Sequence, residues 1–245
     1  IRYAERIQAA ALPDMQEIGK ILKEYFILYR PRDIVSGDFY WIAKRKNKII
    51  IAVVDCTGHG VPGGFLSMLG VSFLNEIIVK DGEIIPSLIL DDLRFKVKQL
   101  LSNTERDDHM KDGMDISLCV IDRVSMTMEY ACAFNSIIVV RGDEAIELLA
   151  DKMPIGIHTK EEEHFTNYMF ELKHDDKIYM FTDGVIDQFG GTKNKKFSKK
   201  SFKELLVSIH NENIAKQKIS INNTMKKWQG NHDQTDDILV LGFKI

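Results

Sequence analysis

Aspartates stand at or beside the ends of several apolar segments of this sequence. Asp38 lies near the start of one segment, Asp55 and Asp183 each follow one, and the pair Asp236-Asp237 precedes the last. A single aspartate in such a position is most often a turn residue that accepts bonds from backbone N–H groups. Several in one chain favour a shared function, and carboxylate oxygens are the ligands that Mg²⁺ and Mn²⁺ prefer. Because no His/Cys ligand spacing accompanies them, the pattern predicts a magnesium or manganese site rather than a zinc site.

The stretch around Asp55 combines a predicted strand with a glycine-rich turn. Residues 49–64 read IIIAVVDCTGHGVPGG, an apolar and mostly β-branched run followed by glycines on both sides of His59. Such a run is typical of a strand covered on both faces, and glycine allows the backbone to turn sharply around a small ligand. Pro62 and the pair Gly63-Gly64 then begin a segment with helical spacing. The sequence therefore places Asp55 at the end of a core strand, next to a candidate metal ion.

The composition is that of an ordinary globular domain, with 44% hydrophobic and 28% charged residues in a chain of 245. A net charge of -3 argues against a general nucleic-acid binder, so no nucleic-acid partner is expected. The three cysteines, Cys56, Cys119 and Cys132, show no CxxC spacing. We therefore expect neither a disulfide framework nor a zinc knuckle. We also expect the protein to be located in a reducing compartment.

The sequence shows no signal peptide and no apolar run that approaches the roughly 20 residues needed to span a bilayer. We therefore expect no membrane segment in this chain and a cytoplasmic location. The chain begins at Ile1 rather than at Met, which suggests a piece of a longer protein. A preceding region would then be able to carry a membrane anchor for the full-length protein.

The apolar periodicity changes several times along the chain and predicts an α+β domain with antiparallel sheets and helices on their outer faces. Helical spacing covers residues 1–12, 62–79, 84–101, 198–209 and 213–228. Strand patterns cover residues 25–30, 37–44, 49–55, 116–121, 127–133, 137–141, 145–149, 168–172, 177–182 and 238–245. The turn at residues 46–48 joins the strands of Asp38 and Asp55, so their carboxylates are expected to be neighbours. The polar stretch 102–113 is expected to be a loop.

Six motifs occur in a fixed order along the chain: SGDFYWI, VVDCTGHGVPGGFLSMLG, DGMDISLCVID, MPIGI, YMFTDGVIDQ and QTDDILVL. Together they resemble the metal-dependent serine/threonine protein phosphatases of the type 2C class. Within that class the chain is most similar to the bacterial branch of SpoIIE and of the stress-response phosphatases that act on anti-sigma-factor antagonists. Each motif is weak alone, but the ordered set is specific. The resemblance implies a four-layer α-β-β-α sandwich with two antiparallel β-sheets flanked by helices, in which residues 13–245 form the phosphatase domain.

The resemblance also implies roles for individual positions. Asp55 matches the aspartate that bridges two metal ions, and the backbone carbonyl of Cys56 matches the ligand that follows it. Asp38 matches the acidic position of the GDFY motif, and Asp183 matches the aspartate of the TDG motif. Asp236 matches the first residue of the final acidic pair. The implied cofactors are two Mn²⁺ or Mg²⁺ ions, which would activate a water molecule as the nucleophile.

Further positions are implied as secondary members of the site. His59 matches a histidine that acts as general acid toward the leaving alkoxide, and Asp237 is a second candidate ligand beside Asp236. Asp115 is either a ligand of a third, weaker ion or the cap of its strand, and we favour the cap. The family's phosphate-binding arginine has no clear counterpart, because neither Arg30 nor Arg32 falls on that position. Arg32 is expected to be a solvated loop residue.

Cys56 is an alternative nucleophile that the sequence disfavours. A phosphate-binding cysteine loop has an arginine five residues after its cysteine, whereas position 61 of this chain is Val61. We therefore expect the thiol of Cys56 to take no part in the chemistry.

Three functions are compatible with these patterns. The first is hydrolysis of phosphoserine or phosphothreonine on a regulatory protein of the anti-sigma-factor antagonist type. The second is a catalytically weak, phosphatase-like module that signals by binding a partner, which the retained carboxylates disfavour. The third, hydrolysis of nucleotides or small phosphoesters, is disfavoured because the chain lacks a GxxxxGK[ST] loop.

The expected partners are a phosphorylated protein and an upstream sensory domain. The helix at residues 1–12 would link that domain to the phosphatase and would be able to mediate a homodimer. The helix at residues 62–79 would then act as a switch, because it begins just after Asp55. The basic run at residues 193–200 is expected to be a solvated loop, with a docking patch for an acidic phosphoprotein as the alternative.

Overall fold

Strands and helices alternate in blocks in the computed structural model, which describes residues 2–79, 83–102, 112–160 and 163–245. In chain order, the strands are β1 (Tyr25–Arg30), β2 (Phe39–Arg45), β3 (Lys48–Cys56), β4 (Gly113–Asp122), β5 (Thr127–Ala133), β6 (Ile137–Arg141), β7 (Glu144–Leu148), β8 (Ile155–Gly156), β9 (Tyr168–Glu171), β10 (Lys177–Phe181), β11 (Phe189–Gly190), β12 (Lys195–Lys196) and β13 (Ile238–Lys244). The helices are α1 (Arg2–Ala11), α2 (Met15–Ile21), α3 (Gly60–Val79), α4 (Pro86–Ser102), α5 (Asp183–Asp187), α6 (Lys199–Ser208) and α7 (Ile214–Gln229).

The long strands form two antiparallel sheets. The first has the order β1-β13-β10-β6-β7, and the second has the order β2-β3-β4-β5-β9, with the short β8 paired to β4. The hydrophobic core has three layers, one between the two sheets and one on the outer face of each. Helices α3 and α4 cover the second sheet, and α6 and α7 cover the first. The expected four-layer α-β-β-α sandwich is confirmed.

Alternation along the strands decides which side each aspartate faces. On β3, Ile50, Ala52 and Val54 face the helices, whereas Ile49, Ile51 and Val53 lie between the sheets. Because side chains alternate with a period of two, the next residue on the inter-sheet side is Asp55. The same alternation on β2 and β4 directs Asp38 and Asp115 to that side. The apolar residues that form the middle of the core therefore also bring the acidic residues together.

Helix α3 begins at the glycine-rich turn and packs on β3. Close packing explains a glycine in its middle: a Cβ on Gly70 would lie 2.7 Å from the ring of Phe39. In the part of the chain that the structure describes, α3 alone is long and apolar enough to span a membrane by length and composition. This contradicts the expectation that no segment approaches that length. Half of the tested window is buried inside the domain, as in the core helix of a globular protein.

Most predicted elements agree with the structure to within a few residues. The sequence reading missed α2, the single-turn helix α5 and the short strands β8, β11 and β12. Helix α2 has seven residues with a glycine among them, which leaves too few turns for a clear periodicity. Of the predicted loop at residues 102–113, positions 103–111 lie outside the described residues. The predicted helix at the N-terminus is present as α1, which contacts α3.

Candidate metal centre and active site

Asp55 and Asp115 lie opposite each other on neighbouring strands. They are direct partners in the antiparallel register of β3 and β4. Directly opposed Cβ atoms are about 4.5–5.5 Å apart, and two like charges at that separation destabilise a sheet. Asp115 lies inside β4, which begins at Gly113, so its position does not suit a cap at the strand's start. The pairing is unfavourable in a sheet unless a cation or a proton offsets the charge.

Asp38 precedes β2 and is almost completely buried. Its Oδ2 accepts a hydrogen bond of 2.6 Å from the Oγ1 hydroxyl of Thr182, which lies on the other sheet at the end of β10. The backbone N–H of Leu239 donates in turn to Thr182 Oγ1 at 3.1 Å. These bonds connect the two sheets at the edge where the carboxylates meet.

Asp183 and Asp236 bring two further carboxylates from the first sheet. Asp183 begins α5 just after β10 and Thr182, and it lies close enough to Asp55 for its charge to raise the pKa of Asp55. Asp236 lies just before β13, and its Oδ1 accepts from the backbone N–H of Asp237 at 2.8 Å. The four strand-end positions predicted from the sequence are therefore close in space, although they come from separate parts of the chain.

Crowding of negative charge disfavours ionisation in this cluster. Burial raises the pKa of Asp38 and of Asp55 well above the usual range, and repulsion from neighbouring carboxylates adds to the effect. Burial together with the charge of Asp183 raises the pKa of Asp115 to about 7. The pKa of Asp183 is raised by burial and then by Asp236. The cluster therefore favours species that supply positive charge.

The donor set fits a hard divalent cation in its chemistry, since carboxylate oxygens dominate it. Among the residues that the structure describes, no three His, Cys, Asp or Glu side chains form a ready-made metal group. One of the carboxylates, that of Asp38, is instead held by a hydrogen bond from Thr182. Because a carboxylate has a second oxygen, Asp38 can keep this bond at Oδ2 and still offer Oδ1 to a cation.

Asp237 supports the loop before β2. It is almost completely buried, and its Oδ1 accepts from the backbone N–H of Arg32 at 2.6 Å. Its Oδ2 accepts from the backbone N–H of Gly37 at 2.7 Å. Both oxygens thus hold the segment that leads to Asp38. This contact distinguishes Asp237 from Asp236, whose carboxylate makes no such bonds to that loop in the described residues.

His59 lies in the turn between β3 and α3, with a partner that the sequence reading did not identify. Its Nδ1 is 2.7 Å from Oδ2 of Asp33, and both side chains are about half exposed. Asp33 belongs to the loop after β1 and is separated from His59 by 26 positions. The one signal in the sequence for this partner is that Asp33 is an acidic residue shortly before the GDFY motif.

The thiol of Cys56 is enclosed in the core. Cys56 ends β3 with its side chain packed between the second sheet and its helices. Burial raises the pKa of the thiol well above its usual range, and the charge of Asp55 adds to this. Since the thiolate is the nucleophilic form, the structure agrees with the expectation that this thiol takes no part in chemistry.

The two arginines near the site bind protein groups. Nη2 of Arg30 donates to the side-chain oxygens of Gln229 at 3.0 Å and Gln234 at 3.2 Å. Arg32 is exposed, and its Nη1 donates to the backbone oxygen of Thr235 at 2.9 Å. Thr235 precedes Asp236, so Arg32 connects the loops that carry Asp38 and Asp236.

A cleft of about 310 Å³ opens beside Asp115 and Asp183. Its other walls include Phe134, Asn135 and Lys199. Lys199 donates to Glu147 Oε1 at 2.9 Å, and it belongs to the basic run predicted as a solvated loop. Part of that run is ordered instead as β12 and the start of α6. The cleft gives a ligand direct access to two of the carboxylates.

Comparison with known proteins gives one family and many similar structures. The model of the SpoIIE family, described as stage II sporulation protein E, matches residues 45–245. The SiaA-PP2C domain of Pseudomonas aeruginosa is 32% identical, with a TM-score of 0.90 over 100% of this chain and 95% of that chain. A search of the curated proteins finds no match.

Two more distant structures share the fold. The PP2C phosphatase domain of SpoIIE from Bacillus subtilis, solved with a fragment of its regulatory domain, has a TM-score of 0.74 at 17% identity, over 91% of this chain and 63% of that chain. RsbX, solved in complex with magnesium, has a TM-score of 0.60 at 15% identity, over 90% of this chain and 94% of that chain.

Proposed function

This chain belongs to the SpoIIE family of PP2C-type serine/threonine phosphatases, and from that membership we propose that it hydrolyses phosphoserine or phosphothreonine on a regulatory protein of the anti-sigma-factor antagonist type. One observation carries the proposal. Carboxylates just before β2 and β13, just after β10, at the end of β3 and inside β4 meet between the sheets, and the turn that follows β3 carries a half-exposed histidine. The RsbX complex with magnesium supports the choice of metal.

We assign the ligand roles as follows. Asp55 would bridge two Mn²⁺ or Mg²⁺ ions, with Asp38, Asp183, Asp236 and the carbonyl of Cys56 as further ligands. When bound, such ions offset the charge of the phosphate and activate a water molecule for attack. Asp115, opposite Asp55 inside β4, suits a ligand of a third and weaker ion better than a strand cap. Asp237 would act through the loop that it holds rather than as a ligand.

The remaining residues would orient the substrate and move a proton. The cleft beside Asp115 and Asp183 would hold the chain segment next to the phosphorylated residue. His59 would give a proton to the oxygen of the leaving serine or threonine. Thr182 would fix the rotamer of Asp38 by its 2.6 Å hydrogen bond.

The direct test is hydrolysis of a phosphoserine protein or peptide with Mn²⁺, with Mg²⁺ and with EDTA. We expect metal-dependent release of phosphate, and a loss of at least 100-fold in kcat/KM for Asp55→Asn. The control is Asp143→Asn, an exposed aspartate outside the cluster. Activity in EDTA, or an unaffected Asp55→Asn variant, would contradict the proposal. Calorimetric binding of Mn²⁺ without turnover of phosphoproteins would favour the alternative, a module that signals by binding.

We further propose that residues 1–12 link this domain to an upstream sensory module. Gln8 of α1 is buried, and its Nε2 donates to the backbone oxygen of Ser36 at 2.6 Å and to Oγ of Ser67 at 2.8 Å. Ser67 lies on α3, and Ser36 lies two residues before Asp38. A displacement of α1 would therefore reach both α3 and a candidate ligand. This geometry supports α3 as the switch helix.

The groove between α1 and α3 supports a homodimer through the N-terminal helix. It is apolar, has a volume of about 270 Å³ and is lined by exposed side chains that include Ile7, Val61 and Phe65. We expect Phe65→Glu to shift a dimer toward monomer in analytical ultracentrifugation. An unchanged sedimentation profile would contradict this assignment.

A further inference from the structure

We propose that Asp33 positions His59 for proton transfer to the leaving group, an inference that rests on the phosphatase function proposed above. The 2.7 Å contact joins Oδ2 of Asp33 to Nδ1 of His59. Within the described part of the chain, no other hydrogen bond engages the imidazole. Nε2 is therefore the ring nitrogen that remains available to a substrate.

The turn that carries His59 is held against the candidate metal ligands. Gly58 and Gly60, on either side of His59, both have positive φ values, 84° and 66°, which favour glycine. The carbonyl oxygen of Gly58 packs so closely on Gly37 that a Cβ there would lie 2.6 Å from it. Gly37 directly precedes Asp38. His59 is therefore the direct neighbour of Gly58, whose carbonyl contacts the residue that precedes the predicted ligand Asp38.

The carboxylate of Asp33 packs on its other side against the start of α3. A Cβ on Gly60 would lie 3.3 Å from Oδ2 of Asp33, so this oxygen lies against the first residue of the helix. The N-terminus of a long helix stabilises a nearby negative charge. Asp33 also follows Arg32, whose backbone N–H is held by Asp237. The anchor of the Asp38 loop thus supports Asp33 as well.

The contact with Asp33 orients the imidazole. By accepting from Nδ1–H, the carboxylate fixes the orientation of the ring and leaves Nε2 to face a substrate. In the hydrolysis, a water oxygen forms the new bond to phosphorus while the P–O bond to the serine breaks. The bonding pair stays on the serine oxygen, which takes a proton from Nε2 of a ring that carries protons on both nitrogens, while Nδ1–H stays bonded to Asp33. The attacking water releases a proton, and this proton restores the one that Nε2 has given up.

The expected effect is moderate because the pair is about half exposed and partly screened by solvent. General acid catalysis contributes typically about 100- to 10,000-fold to a rate. We expect His59→Asn to lower kcat for a phosphoserine peptide by about 100-fold and Asp33→Asn by about 10-fold. KM should change little, since neither side chain is assigned to substrate binding.

The leaving group separates this role from a structural one. A serine alkoxide needs a proton as it leaves, whereas p-nitrophenolate is stable without one. In Asp33→Asn, the ratio of kcat for the phosphoserine peptide to kcat for p-nitrophenyl phosphate should fall by about 10-fold. The matched control is Asp143→Asn, since Asp143 faces His210 at 3.5 Å at the opposite end of the first sheet. Equal losses on both substrates in Asp33→Asn would overturn the inference.

A double-mutant cycle and a spectroscopic measurement complete the test. Asp33→Asn should cost nothing further in a His59→Asn background, whereas additive losses would overturn the inference. Nitrogen-15 NMR of the His59 ring should show a hydrogen-bonded proton on Nδ1 in the wild type and a changed Nδ1 signal in Asp33→Asn. An unchanged ring signal would overturn the inference without any reference to activity. Failure of the proposed function would be seen separately, as a wild-type protein that hydrolyses neither substrate with Mn²⁺.

Discussion

Asp237 accepts a 2.7 Å hydrogen bond from the backbone N–H of Gly37, across 200 positions of sequence. Its second oxygen accepts from Arg32, so one buried carboxylate fixes both ends of the loop that precedes Asp38. This relationship ties the last strand of the first sheet to the first strand of the second. The loop that Asp237 fixes also contains Asp33, and Asp33 contacts His59.

Replacing Asp237 should destabilise the fold. Asp237→Ala removes both bonds and leaves two backbone N–H groups without acceptors, so we expect a loss of about 2–4 kcal/mol in the free energy of unfolding. Urea unfolding in EDTA measures this without metal. Asp233→Ala, an exposed position in the same segment, is the control. A loss below about 0.5 kcal/mol would show that the loop does not depend on this carboxylate.

Replacing Asp55 should have opposite effects with and without metal. In EDTA, Asp55→Asn relieves repulsion among buried carboxylates, so we expect stability to rise by about 1–2 kcal/mol. With saturating Mn²⁺, the wild type should gain about 3 kcal/mol at a hundredfold excess over Kd, and the variant should gain much less. Thermal unfolding with and without Mn²⁺ gives both values. Destabilisation in EDTA would contradict the assignment of repulsion as the dominant interaction.

A methyl group at Gly63 should displace the start of α3. A Cβ there would overlap the carbonyl oxygen of Gly58 and lie 3.0 Å from Cα of Gly37. Alanine is a better helix former than glycine by about 1 kcal/mol, so a loss of stability in Gly63→Ala must come from this overlap. We expect a net loss of about 1–3 kcal/mol and a fall in phosphatase activity of at least 10-fold. Ser72→Ala, on the exposed face of α3, should be neutral in both assays.

The environment of Glu147 predicts that the folding stability depends on pH, independently of the metal centre. Burial alone would raise its pKa, but hydrogen bonds from Lys203 and Lys199 outweigh this and lower the pKa to about 2. Because the folded-state pKa is depressed, the stabilisation is complete above the unfolded pKa of about 4.3 and is lost as pH falls toward 2. After allowance for solvent screening, we expect about 1 kcal/mol.

The measurement compares urea midpoints of the wild type and Glu147→Gln between pH 6 and pH 2. The difference between the two proteins should shrink as the pH falls through this range. Glu204→Gln is the control, because Glu204 pairs with Lys200 at 4.0 Å on the exposed surface. A difference that does not vary with pH would contradict the role of the ionised carboxylate.

The strands of the core followed from the sequence because a continuous, mostly β-branched apolar run is typical of a strand buried on both faces. On β3 this run predicted the strand, and the alternation of side chains along the strand places Asp55 between the sheets. Helix α5 escaped prediction because it is a single turn whose first residue is a predicted ligand, Asp183. Short segments of this kind are fixed by tertiary contacts rather than by their own periodicity.

The site was only partly predictable for a similar reason. Asp38 and Asp55 lie on strands joined by a short turn, so their proximity followed from local structure. Thr182 and Asp33 bond to Asp38 and His59 only after the two sheets pack and the loops fold. The distinction between Asp236 and Asp237 depended on which carboxylate reaches the Gly37 loop, and no sequence pattern contains that information.

The pairing of β1 with β13 also affects how the chain is made. Among the strands of the described ranges, β1 hydrogen-bonds only to β13, so it has no strand partner until β13 emerges from the ribosome. About 200 residues separate the two strands, which at roughly 5–20 residues per second corresponds to a delay on the order of 10–40 seconds. During that interval the acidic residues of the two sheets are not yet together. Nascent chains stalled before residue 238 should therefore bind no Mn²⁺ tightly and should be cleaved readily by proteases.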